Sequence, residues 1–107
     1  MSWSYDFNAL STPLNAVRLL IGDTDTTNQQ MQNEEIAFFL LQYSGGLTYL
    51  DQIRTAIDCV SVMGQRLSDQ IEEEETGDIR VKLFARKGQL SDLLTKLKDI
   101  LRRKAAL

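Results

Sequence analysis

Leu50, Ile53, Ile57, Val60, Gly64, Leu67 and Ile71 recur three and four residues apart. That spacing puts them on one face of an α-helix, sustained over three heptads. Such a helix has some 25 residues and a length of roughly 38 Å. The chain has only 107 residues, so it is a single domain, 1–107. A compact domain of that size has a radius of gyration near 13 Å. The rod is at least as long as the globule around it, so one end projects or packs on a neighbouring subunit. Thr48 and Asp51 form a capping-box-like start, with Asp where Glu is commoner. Gly64 on the seam implies either a close backbone approach or a weak point.

Three more helices are predicted around it. Thr12 is an N-cap, Pro13 suits the first helical position, and Leu14, Val17, Leu20 and Ile21 share a face that Gly22 ends. Residues 23–32 are polar and read as a surface loop, Gly22-Asp23 being a helix stop and Asx-type turn. Asn33 caps the second helix, with Glu34 and Glu35 in its first turn. Ile36, Phe39, Leu40 and Tyr43 line it and Phe38 and Leu41 widen its apolar edge, so this helix is expected to be the most deeply buried. Ser44-Gly45-Gly46 ends it. The last helix starts near Phe84 or Gln89 and ends at Lys104, with Leu90, Leu93, Leu94, Leu97, Ile100 and Leu101 as its stripe.

Between the long helix and the last one, Thr76-Gly77-Asp78 reads as a turn. Ile79, Val81 and Leu83 then alternate with Arg80 and Lys82. This period of two predicts an extended or β segment over 76–83, or an extended connector with one buried face. A lone strand leaves its backbone groups unpaired. Its partner would be a local hairpin, the N-terminal arm or a second subunit. The predicted architecture is therefore mainly α: a four-helix bundle-like domain with one long central helix and a short extended segment before the C-terminal helix.

The chain has no histidine and one cysteine. Cys–His and Ser–His catalysis and histidine-ligated metals are excluded. Cys59 lies in an apolar helical stripe and reads as a small buried hydrophobe. No phosphate-cradling glycine loop is present, because Ser44-Gly45-Gly46 lacks the lysine. The polar, aromatic start is unlike a signal peptide, and the apolar run Ile36–Leu41 is too short to span a bilayer. The expectation is a cytosolic, non-enzymatic protein with no cofactor, no metal and no membrane partner.

The net charge of −3 hides an asymmetry. Residues 1–79 hold 13 acidic and 3 basic side chains, and residues 80–107 hold 2 acidic and 9 basic. Segregation of this kind marks an interaction surface and suits head-to-tail association of copies. Glu72–Glu75 reads as a solvated helix end. The basic C-terminal third lacks interleaved aromatics and any base-reading motif, so contact with DNA would be non-specific.

Trp3, Tyr5 and Phe7 alternate along an aromatic arm, 1–11, fit to be pinned into a groove of the same chain or of the next. That arm, Thr12-Pro13, the string from Val17 to Asp25, the start Asn33-Glu34-Glu35-Ile36 and the later Gly77-Asp78-Ile79-Arg80-Val81 together resemble the head–tail connector proteins of tailed bacteriophages. The Glu72–Glu75 run and the stretch from Phe84 to Gly88 depart from that pattern. The resemblance implies a structural virion protein assembled in the bacterial host cytoplasm. It implies a ring of about twelve copies that docks on the portal protein after DNA packaging. The ring would extend the DNA channel and carry a tail-side neck or tail-terminator protein. It also implies roles for residues. Trp3, Tyr5, Phe7, Arg102, Arg103 and Lys104, with the segment through Leu107, would meet a subunit or the portal. Asp78, Ile79, Arg80, Val81, Lys82, Arg86 and Lys87 would form a loop facing the channel or a neighbour. The competing reading is a small regulatory or binding module that dimerises through the long third helix.

Overall fold

The computed structural model describes residues 2–105. The protein is mainly α, with four helices: α1 (Pro13–Ile21), α2 (Asn33–Leu41), α3 (Tyr49–Glu73) and α4 (Gly77–Ala105). α3 is the spine. α1, α2 and α4 all pack against it, and α4 returns antiparallel along it after a three-residue connection. The molecule measures 44 × 32 × 23 Å, with a radius of gyration of 14.5 Å. That exceeds the roughly 13 Å of a compact chain this long.

The local signals explain where most elements begin and end. Gly22 takes a left-handed φ of 73° and its N–H bonds back to the end of α1. Thr48 accepts a hydrogen bond from the Asp51 N–H and caps α3. Between α2 and α3, Ser44, Gly45 and Gly46 take φ of 57°, 81° and 73°, and this left-handed run reverses the chain. Of the α3 seam, Ile53, Val60, Leu67 and Ile71 are buried, while Leu50, Ile57 and Gly64 are half-buried; Ala56, Cys59 and Met63 beside them complete the inward face. Val17 and Ile21 of α1, Ile36 and Leu40 of α2 and Leu97 of α4 meet most of that seam in one core.

Several expectations are corrected. Residues 76–83 contain no extended segment: α4 begins at Gly77. The helix wins because three alternations of Ile79, Val81 and Leu83 find no strand to pair with. A helix satisfies the backbone from within and lays Ile79 and Leu83 beside Gln70 and Glu73 of α3. Its first bond runs from the Arg80 N–H to the Thr76 carbonyl. α2 is not the most deeply buried helix, since α3 contributes most of the core while Phe38 and Leu41 face solvent. Asn33 is not a cap but the first residue of α2. Glu35 accepts from the Gln32 N–H there, and the Asn33 side chain is engaged elsewhere. Thr12 takes the N-cap position with its carbonyl, not its hydroxyl. At Gly64 nothing lies within 4 Å of where a Cβ would stand, so no backbone approaches it.

Candidate interaction surfaces

The N-terminal arm is anchored by one residue. Arg18, on α1, is completely buried. Its Nη1 donates to Asp23 Oδ2 (2.6 Å) and the Met31 carbonyl (2.8 Å). Nη2 donates to Asn33 Oδ1 (2.7 Å), and Nε donates to the Ser4 carbonyl (2.7 Å). Trp3 lies over the guanidinium, 4.6 Å from ring centroid to Cζ, and its indole N–H points at the Asp23 carboxylate at 3.4 Å. Asp23 also accepts the Gln30 and Met31 N–H groups. Burial pulls the Arg18 guanidinium below its ordinary value, while the charge and hydrogen bond of Asp23 oppose that. The polar stretch 23–32 is therefore not wholly a surface loop, because Asp23 and Met31 close over this pair.

Further bonds hold the arm along its length. The Asn33 N–H donates to the Ser2 carbonyl, the Ser4 N–H donates to Asn33 Oδ1, and Asn33 Nδ2 donates to the Ser4 hydroxyl. The Ser2 N–H and hydroxyl both donate to Glu34, which holds that carboxyl down to about 2. The groove that receives Trp3 and Tyr5 thus belongs to the same chain, where both rings are half-buried. Phe7 alone of the three is presented outward, at 70% exposure.

The cations assigned to the C-terminal end lie on the exposed last turns of α4. Arg102 and Arg103 both pair with Asp99 at 2.6 Å, and Lys104 Nζ stands 6.0 Å from the Tyr49 ring. The segment's last two residues, 106 and 107, lie outside the described residues. The residues expected on a loop, Asp78, Ile79, Arg80, Val81, Lys82, Arg86 and Lys87, fall instead around the first half of α4. At about 100° per residue they do not share a face. Ile79 turns toward α3, and so does Arg86, which lines a cleft of about 240 Å³ with Met63, Leu67 and Leu90. Val81 turns the opposite way, together with Phe84, Ala85 and Gly88. Val81 is 69% exposed and Phe84 53%. Arg80 Cζ stands 6.0 Å from the Phe84 ring, and Lys82 and Lys87 are exposed beside this stripe.

A second outward apolar face lies on α2, unforeseen as a surface. Glu34, Ala37, Phe38 and Leu41 are one helical stripe. Phe38 is 59% exposed and Leu41 75%. Beside them is an open notch of about 440 Å³ lined by Phe38, Phe39 and Val62 and rimmed by Glu34, Glu35 and Arg66. Glu35 and Arg66 form an ion pair there. The available signal was the run Ile36–Leu41, which is apolar on every side: a helix with one partner cannot bury all of it.

Cys59 is fully buried. Burial pushes its thiol up to about 12, so it stays protonated at neutral pH and packs as a hydrophobe. No described helix is long and apolar enough to cross a membrane. Comparison with protein-family models, with curated proteins and with solved structures returned no match.

Proposed function

We propose that this chain is a structural connector of the tailed-bacteriophage neck. Copies of it form a ring on the portal after packaging, extend the DNA channel and offer a platform to a tail-side protein. One observation supports the reading most. Besides scattered exposed residues such as Leu19 and Leu47, large apolar side chains one helical turn apart stand in solvent on two helices, Val81 and Phe84 on α4 and Phe38 and Leu41 on α2. Contiguous exposed apolar surface marks places where other proteins bind, and two such faces on one chain suit heterologous contacts that close into a ring. The aromatic arm, the Thr12-Pro13 start and the Gly22 stop that carry the resemblance form a tethered arm, a helix and a left-handed turn. The cations of α4 would lie near channel DNA as non-specific phosphate contacts. The rival module would dimerise through α3, but the buried seam of α3 is already covered by the other helices of its own chain.

The test is electron microscopy of particles produced after deletion of the gene from the phage or prophage that encodes it. Filled heads that lack tails or leak DNA are expected. Normally tailed, DNA-retaining particles contradict the proposal.

A further inference from the structure

We propose that the outward α4 stripe of one copy, built on Val81 and Phe84, docks on the outward α2 face of a second copy, built on Phe38 and Leu41. The proposal deepens the connector reading and rests on it for the closure of the ring.

Three observations select this pairing. The first is position. The α2 face meets α3 beside Val62 and Arg66, and the first half of α4 meets it beside Gln70 and Glu73. The two outward faces stand on different helices and are different surfaces. A contact between two different patches is heterologous, and repetition of it turns about an axis.

The second is shape. The α4 stripe is a ridge, with Phe84 between Val81 and Gly88 along it, and nothing lies within 4 Å of a Gly88 Cβ position. The α2 face carries the open notch between Phe39 and Val62. A ring entering an apolar slot buries more area than two ridges laid together.

The third is charge. Arg80, Lys82 and Lys87 flank the ridge, and all three are exposed and without an ion-pair partner among the described residues. Glu34 stands on the rim of the notch with a carboxyl that remains ionised through the neutral range. Three cations to one carboxylate, Asp78, beside the ridge complement two carboxylates to one cation, Arg66, on the notch rim. Two ridges, or two notches, would set like net charge together.

The test uses the full chain bearing Phe38→Cys in one preparation and Phe84→Cys in another, with Cys59 silent because it is buried. Mild oxidation of the mixture is expected to give a disulfide-linked dimer that neither preparation gives alone, and the double variant a ladder of covalent oligomers. Equal dimerisation of either variant by itself, or no cross-linked product at all, overturns the proposal. Phe38→Glu and Phe84→Glu supply the second arm. Each is expected to weaken association at least tenfold by sedimentation with unchanged helical circular dichroism. A mixture of the two is expected to recover a one-to-one dimer through its one intact pair of faces. If Phe84→Glu associates as the wild type does, the docking assignment falls while the connector reading stands. Normal tails on gene-deleted particles defeat the connector reading without touching the docking result.

Discussion

Arg18 would be the most costly side chain in this protein to leave without its partners. A guanidinium taken fully out of water is tolerable only because the Asp23 carboxylate, Asn33 and two carbonyls surround it. Asp23→Ala leaves that charge buried and uncompensated and is expected to cost about 3–5 kcal/mol in urea unfolding. Arg18→Met combined with Asp23→Leu is expected to cost less than the two single changes added together, because no charge is then stranded. Glu34 sets a pH dependence. Its folded-state carboxyl is held near 2 against an ordinary 4.5, so its contribution is complete above the ordinary value and is lost as the pH falls toward 2. Glu34→Gln is therefore expected to flatten the acid limb of Tm between pH 5 and 2. None of the Arg18 cluster was legible in the sequence. A single arginine among Val17, Leu20 and Ile21 looks like the edge of an amphipathic helix. Its partners come from three separate stretches of chain, at residues 3–4, 23 and 31–33, so only the tertiary fold brings them together. The burial of Cys59, by contrast, was legible, because its helical neighbours fix the face on which it lies.

At the scale of elements, the signals that worked were local and chemical: a cap at Thr48, a stop at Gly22, a seam repeated along α3. The signal that failed was periodicity over too short a window. Ile79, Val81 and Leu83 alternate, yet Ile79, Leu83 and Leu90 also fall at helical spacing, and the second pattern has α3 to pack on. The exposure of one side of α2 has a related reason. Composition says how apolar a helix is but not how many neighbours it has. α4 carries only one fully buried residue, Leu97. Its first half, Gly77–Gly88, is packed on one side alone, so its amides are expected to exchange with solvent faster than those of residues 90–101 when followed by hydrogen exchange. Glycine positions separate in the same way. Gly64→Ala meets open space within a helix and is expected to stabilise by about 0.5–1 kcal/mol. Gly46→Ala is expected to destabilise in the same urea assay, because a Cβ at a φ of 73° would run into Leu40.

The whole molecule is longer than its residue count requires, and its charge is divided between its earlier and later parts. It covers most of the α3 seam and half-buries Trp3 and Tyr5 of its arm, yet leaves Phe38, Leu41, Val81 and Phe84 largely in water. A chain that closes its core and still presents two apolar faces with opposite rims is equipped to meet copies of itself. Reversal of Arg80 and Lys82 to Glu is accordingly expected to weaken assembly or DNA retention while circular dichroism of the monomer stays the same. Both residues are exposed and contribute no buried contact, so a loss of helicity would instead mark them as structural. The account is tested most directly by a cryo-electron-microscopy reconstruction of the neck in particles whose genome encodes this chain. It predicts one ring of copies between portal and tail, with Phe84 of each seated against α2 of the next. A complete neck in which no copy of this chain is found contradicts it.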